Sequence, residues 1–262
     1  MRKAAGAVPV VFALAAAFFV GRGGSSRESL IPLSRAVAEH GKALDRGAAL
    51  AFPLSADEER AIGERLDASM RDSAPPAPGT PRASREALWR ELGPEAEGSA
   101  LVRRFRGRYV FRSTSHGGLN AFAVPGGFVY ATDALLEKLA KDPDALLFVL
   151  AHEIAHIELG HTADAYRLRG AKDPLRAVVG AFASVARVFA SLHFSPSQEL
   201  EADAYAVRLL RSIGRDPAAG LRTFDALGLK EGSRERLSDY FSTHPGAWER
   251  RAALERESGR TR

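Results

Sequence analysis

The sequence predicts an α+β fold that is mainly helical and contains a small β-sheet. Segments with capping residues and apolar residues at helical spacing recur along most of the chain. Alternating, β-branched and aromatic segments are confined to residues 108–132. With 262 residues, the chain is long enough for one substantial domain with a hydrophobic core.

Two helices are predicted before the sheet. Ser55 is followed three residues later by Glu58, the pattern of a capping box, so a helix is expected over residues 55–72. Residues 73–84 are rich in proline and small residues and predict a loop. A second short helix follows and ends at Gly93.

Three short strands are predicted next. Residues 108–114 alternate and contain aromatic and β-branched side chains, which favours a strand. Residues 119–132 are typical of two strands joined by a turn at Pro125, Gly126 and Gly127.

The chain after the sheet is predicted to be helical. A short helix covers Asp133–Leu139, and a longer one follows with Asp142 as N-cap, Pro143 in the first position and Gly160 at the end. Further helices are expected at residues 174–194, at residues 197–214, and after Pro217 and Pro245.

The composition excludes several kinds of site. There is no cysteine, so disulfides, thiolate metal sites and cysteine nucleophiles are excluded, and any metal must be held by His, Asp or Glu. The net charge of +5 comes from basic residues scattered among acidic ones. The one local cluster, Arg103–Arg108, is interpreted as a solvated turn before a strand, with an anionic partner as the alternative; no nucleic-acid partner is expected.

Residues 1–22 have the layout of a signal peptide or an N-terminal membrane anchor. Two basic residues precede an apolar run from Ala4 to Val20, and a stretch rich in Gly and Ser follows without a clean cleavage site. The folded part is therefore expected to be periplasmic, or outward-facing and anchored to the cytoplasmic membrane. Residues 23–54 are expected to form an exposed N-terminal segment, and residues 55–262 the main domain.

The segment His-Glu-Ile-Ala-His at residues 152–156 is a candidate metal site. Residues four apart lie about 40° apart around a helix axis, so His152 and His156 can bind one ion. Glu153 lies beside the same face, which completes the pattern of two zinc ligands and a general base. A chance match on a core helix is the alternative, so a third ligand is needed to decide.

A later helix offers that third ligand. His161 is one residue short of the position that a three-histidine site requires. We therefore expect His161 to lie at the surface or behind a ligand. Glu199 and Asp203 are four residues apart on a predicted helix, so Glu199 can bind the metal while Asp203 accepts the N–H of a ligand histidine.

Four segments in order resemble a known family: NAFAVPGGFVYAT, HEIAH, ELEAD and STHPGAWER. They resemble the zinc metallopeptidase family M48, which includes the type-I CAAX prenyl protease, HtpX and the periplasmic protease BepA. The resemblance covers roughly Ser55 to Leu254 and is greatest to the BepA-like protease domain without its repeat domain. It implies a zincin-like (gluzincin) fold in which an edge strand of the sheet lies beside the active-site helix.

The resemblance also implies the composition of the site. Members of the family often have the dipeptide Ser-Arg at the positions of Ser195 and Pro196. Proline therefore replaces that arginine here, and its role must be absent or be filled by another residue. The multi-span regions and the repeat domain of some members are not found, so prenylated substrates and repeat-guided docking are not expected. The implied residues are the ligands of one zinc ion (His152, His156 and Glu199), a catalytic Glu153, a supporting Asp203, and functional positions at His244 and Arg250.

These residues predict a zinc-dependent metalloendopeptidase that acts on unfolded or misassembled envelope proteins. Glu153 would serve as the general base. His244 would stabilise the oxyanion, or would approach the metal and keep the enzyme latent. The alternative is a zinc-bound chaperone or assembly factor in which proteolysis is latent or lost. No sequence feature indicates the oligomeric state.

The substrate is expected to lie along the strand that precedes the turn. An exposed edge strand can pair with an extended peptide, which makes Asn120, Ala121 and Phe122 candidate substrate-binding residues. Plain core strands are the alternative. The helix predicted at residues 174–194 would cover the cleft and gate access, or would simply pack.

Overall fold

The computed structural model describes residues 54–73, 82–115, 118–172, 194–229 and 239–259. These residues form nine helices and three strands, so the predicted α+β, mainly helical fold is confirmed. The elements are α1 (Ala56–Ser73), α2 (Arg82–Glu97), β1 (Val110–Thr114), β2 (Ala121–Val124), β3 (Phe128–Thr132), α3 (Asp133–Leu139), α4 (Pro143–Glu158), α5 (His161–Lys172), α6 (Pro196–Ser212), α7 (Ala219–Ala226), α8 (Asp239–Thr243) and α9 (Ala247–Glu257).

The sheet is mixed and small. β3 lies in the centre of the sheet. It pairs in parallel with β1 and antiparallel with β2. The predicted turn between β2 and β3 is present, and Gly126 and Gly127 have φ angles of +86° and +91° there. At Gly126 a Cβ atom would lie 2.5 Å from the Glu59 carbonyl, so glycine also lets α1 approach the turn. β2 is thus an edge strand, and it packs beside α4 as the resemblance implied.

Helix α4 lies at the centre of the core. The Asp142 side chain accepts a hydrogen bond from the backbone N–H of Ala145 at 3.0 Å, and Pro143 occupies the first turn, as predicted. Every residue from Ala145 to Ile157 is buried. A helix that is buried on all sides must be covered by neighbours all round. These neighbours are α2, α3, α5, α6, α7, β2 and β3.

Helix α6 faces α4 across the core. It begins with a capping box, in which the Ser195 hydroxyl accepts from the backbone of Gln198 and the Gln198 side chain accepts from the backbone of Ser195. Its buried face carries Glu199 and Asp203 among apolar residues. Since polar groups on a core-facing surface need partners, this face marks the site.

Helix α2 corrects one sequence prediction. Gly93 does not end the helix, which continues through Pro94 to Glu97. A Cβ at Gly93 would lie 2.2 Å from the Phe111 ring, so glycine is needed there for the close approach of β1. Helix α2 also begins at Arg82, within the segment predicted as a loop.

The basic segment at residues 103–108 makes hydrogen bonds and an ion pair with other parts of the protein, in addition to its contact with solvent. The backbone N–H groups of Arg103 and Arg104 donate to the Glu158 carboxylate, and the Arg104 guanidinium pairs with buried Glu59. The Arg106 guanidinium donates to the carbonyls of Ser99 and Val102. These contacts hold the segment that leads into β1.

Parts of the predicted organisation lie outside the described residues. These are the N-terminal residues 1–53 and nearly all of the helix predicted at residues 174–194. Within the described ranges, no helix combines the length and apolar character needed to cross a membrane.

Candidate metal centre

Four side chains from three parts of the chain converge in the core. His152 and His156 come from α4, Glu199 from α6, and His244 directly follows α8. One ligand atom from each lies within 4.8 Å of the others, and all four side chains are buried. The structure therefore brings together the three residues expected as ligands, and it adds His244.

The spacing of these atoms fits a zinc ion. The Nε2 atoms of His152 and His156 are 3.1 Å apart. Oxygens of Glu199 lie 3.4 Å from Nε2 of His152 and 3.6 Å from Nε2 of His156. Ligand atoms about 2.0–2.1 Å from a tetrahedral zinc ion lie about 3.3 Å from one another. Two imidazoles and one carboxylate are also the donor types of a zinc site that lacks cysteine.

The electrostatics of the cluster favour a cation. Burial opposes charge on Glu199, but His244 and Arg250 outweigh it and hold its pKa well below the ordinary value. Burial also opposes charge on His152, yet Asp203 and Glu199 raise its pKa to about 9. A cation bound at Nε2 of His152, on the side of Glu199, would replace the proton on that nitrogen and release it, while the proton on Nδ1 would remain beside Asp203.

The two expected supporting residues lie directly behind the cluster. Oδ1 of Asp203 is 2.9 Å from Nδ1 of His152, so the outer nitrogen of this histidine faces a carboxylate. The fully buried guanidinium of Arg250 donates to both oxygens of Asp203, at 2.7 and 2.8 Å. Sequence spacing alone did not identify Arg250; the family resemblance did.

Glu153 is buried without a fixed partner. Neither of its carboxyl oxygens has a hydrogen-bond partner among the described residues, and Nε2 of His244 lies 3.6 Å from Oε1. Burial raises the pKa of Glu153. A carboxylate in this position, beside the cluster, can take up a proton from a water molecule.

The segment Thr243–His244 covers the edge strand. Nε2 of His244 lies 3.3 Å from the carbonyl of Ala121, and the Thr243 hydroxyl donates to the side-chain oxygen of Asn120 at 3.1 Å. Ala121 is fully buried, and Phe122 stacks on Tyr130 with 5.0 Å between ring centroids. Asn120 and Ala121 are therefore in contact with residues of the site, whereas the ring of Phe122 packs on Tyr130.

Two further side chains contact His156. His161 lies behind this expected ligand, which is one of the two positions predicted from the sequence; it is buried, and its Nδ1 lies 3.0 Å from Nδ1 of His156. The ring of Phe194 stacks on His156 with 3.8 Å between centroids. Neither contact follows from helical spacing, because His161 belongs to α5 and Phe194 precedes α6.

Comparison with known proteins agrees with this arrangement. The sequence pattern of peptidase family M48 matches residues 99–258, which is more than half of the chain. The chain is 30% identical over 142 residues to the mitochondrial metalloendopeptidase OMA1 of Arabidopsis thaliana, covering 52% of this chain and 29% of that protein. It is 29% identical over 145 residues to the metalloprotease LoiP of Escherichia coli (strain K12), covering 50% of this chain and 56% of that protein.

A longer match is with the beta-barrel assembly-enhancing protease of Yersinia pestis, at 27% identity over 226 residues, covering 77% of this chain and 44% of that protein. The chain thus spans about half or less of the length of these relatives. The matched region contains all four cluster residues and Glu153. The chain belongs to peptidase family M48.

Proposed function

We propose that this protein is a zinc-dependent endopeptidase. The observation that carries the proposal is the position of Glu153, a buried carboxylate without a hydrogen-bond partner among the described residues, beside the convergent His152, His156 and Glu199. A bound zinc ion would lower the pKa of water and polarise the carbonyl of the peptide bond. The names of the relatives, which include a metalloendopeptidase and two proteases, support the same activity.

Glu153 would move the protons of the reaction. It would take a proton from the attacking water and deliver it to the amine that leaves. Asp203 would hold the outer nitrogen of His152, so that Nε2 points into the cluster. Arg250 would keep Asp203 ionised and in place through its two hydrogen bonds.

The proposed substrates are unfolded or misassembled envelope proteins. An extended chain would pair with the edge strand β2, and Asn120, Ala121 and Phe122 are the residues proposed to contact it. Thr243 and His244 now occupy this edge, so pairing would require them to move. An envelope location is supported by the layout of residues 1–22, proposed to be a signal peptide or anchor, and it would suit a relative of a beta-barrel assembly-enhancing protease.

His244 is proposed to keep the resting enzyme latent. It lies among the zinc ligands and also contacts the edge strand. A fourth protein ligand would fill the position that a catalytic zinc site keeps open. The same observation favours the second candidate function, a zinc-bound chaperone or assembly factor, because structural zinc sites have four protein ligands.

Cleavage of casein by the purified, zinc-loaded full chain tests the proposal, with Glu153→Gln as the critical variant. Glu249→Gln, on the exposed side of α9, is the matched control. We expect the parent and Glu249→Gln to cleave and Glu153→Gln to bind zinc without cleaving. Equal cleavage by all three proteins would reject the role of Glu153. Zinc binding without cleavage by any of them, and by His244→Ala as well, would support the chaperone instead.

A further inference from the structure

The outer nitrogen of His156 faces a second histidine instead of a carboxylate. Its Nδ1 lies 3.0 Å from Nδ1 of His161, whereas Nδ1 of His152 lies 2.9 Å from a carboxylate oxygen of Asp203. His161 reaches this position because Gly160, with φ of +80°, turns the chain at the end of α4. The function proposed above leaves this contact without a role.

The chemistry of metal binding fixes the protons along this contact. To bind a cation through Nε2, His156 must carry its proton on Nδ1. This N–H can then donate only to an unprotonated Nδ1 of His161. The proton of a neutral His161 must therefore be on Nε2, and Nε2 lies 3.6 Å from Oε2 of Glu201. The contact between His156 and His161 therefore allows one arrangement of protons, in which the N–H of His161 lies on the side of the Glu201 carboxylate and is attracted to it electrostatically.

The stacked ring of Phe194 cannot fix this arrangement by itself. Phe194 contacts the face of the His156 ring at 3.8 Å with an interplanar angle of 16°. A contact on the face is nearly the same whichever nitrogen points into the cluster. A contact at the edge distinguishes the two orientations, because only one of them places Nδ1 opposite the acceptor. His161 makes that edge contact.

We propose that His161 is a positioning residue of the metal centre, which holds His156 with its proton on Nδ1 and its Nε2 turned toward the cation. Glu201 orients His161 in turn. Its side chain is about half exposed, while His161 is buried. The inference rests on the proposed zinc site and requires no peptidase activity.

The affinity of the full chain for zinc, measured by competition with a chelating dye, tests the proposal. His161→Phe keeps an aromatic ring but removes the acceptor, and we expect roughly 10–100-fold weaker binding. His161→Asn places an amide oxygen near the position of Nδ1, so it should restore most of the affinity. The visible spectrum of the cobalt-loaded proteins should shift in His161→Phe and return toward the parent in His161→Asn. Parental affinity in His161→Phe would overturn the proposal.

Glu201→Ala provides a test that does not depend on changing the core. It should weaken zinc binding in the parent but have no further effect in His161→Phe, while Glu249→Ala, also exposed on a helix, should have no effect in either. If Glu201→Ala weakened zinc binding equally in the parent and in His161→Phe, Glu201 would not act through His161, and this part of the proposal would be contradicted. Zinc binding without cleavage, by both the parent and His244→Ala, would reject the proposed peptidase and leave this inference standing.

Discussion

Nη1 of Arg250 lies 2.6 Å from Oε2 of Glu199, and neither side chain is exposed to solvent. The same guanidinium holds Asp203. One buried cation therefore serves two buried carboxylates, one of which lies in the metal cluster. Because buried charges are stable only when paired, Arg250 links the stability of the core to the charge of the site.

Arg250→Leu should strongly destabilise the protein. It leaves Glu199 and Asp203 as buried acids without their cation, and breaking a buried pair from one side costs about 3–5 kcal/mol. Urea unfolding checks this, with Arg256→Leu on the exposed side of the same helix as the control. Arg250→Lys should not restore stability, since an ammonium group cannot donate to Asp203 as a fork. A urea concentration at the unfolding midpoint that is the same for Arg250→Leu as for the parent would contradict the prediction.

Removing zinc should lower the thermal stability. A ligand that binds only the folded state stabilises it by about 2.7 kcal/mol when its free concentration is 100 times Kd. The melting temperature should fall when a chelator is added and return with excess zinc. His156→Ala, which lacks one of the cluster nitrogens, should melt at the same temperature under both conditions. A parent that is indifferent to chelation would count against the metal centre.

His244→Ala should increase the zinc-dependent cleavage of casein several-fold. The substitution removes one residue of the cluster and the contact with the Ala121 carbonyl, so that both the metal and the edge strand become accessible. Initial rates of the parent and the variant provide the measurement. The double variant with Glu153→Gln should be inactive. A lower rate in His244→Ala would assign the histidine to oxyanion stabilisation instead.

Asp142 should make stability depend on acid pH. Hydrogen bonds from Arg222, and then from the Ala145 N–H, outweigh burial and hold the pKa of Asp142 below its ordinary value. A carboxylate whose pKa is lower in the folded state adds stability above its unfolded pKa of about 3.9, and this is lost as the pH falls through the folded value. Asp142→Asn should therefore cost stability at pH 7 and progressively less as the pH falls below about 4.

Urea unfolding of the parent and Asp142→Asn across this pH range provides the measurement. Asp142→Ala also removes the N-cap of α4, and it should cost about 1 kcal/mol, within a range of about 0.5–2 kcal/mol. A difference between the parent and Asp142→Asn that does not change with pH would contradict the role of the carboxylate charge.

The sequence predicted the features that depend on local chemistry. Capping residues such as Ser55 and Asp142 located helix starts, and the glycines after Pro125 located the hairpin. Helical spacing placed His152 beside His156, and the later helix supplied Glu199. The caps, the turn, the pair His152 and His156, and the pair Glu199 and Asp203 each lie within a few residues of one another.

The remaining features depend on contacts between distant segments. Gly93 was misassigned because its packing against Phe111 has no local pattern. The burial of His161 and the stacking of Phe194 on His156 arise only when α5 and α6 close around α4. His244 was identified by resemblance, but its contact with the edge strand was visible only in the folded chain.

The complete burial of α4 has a consequence for when the protein can act. The helix that carries His152, Glu153 and His156 is also the centre of the hydrophobic core. Loosening of that core would therefore disturb the alignment of these three groups. Under the proposed function, a misfolded copy would lose the ability to cut at the same moment, so it would not remain as an unregulated protease.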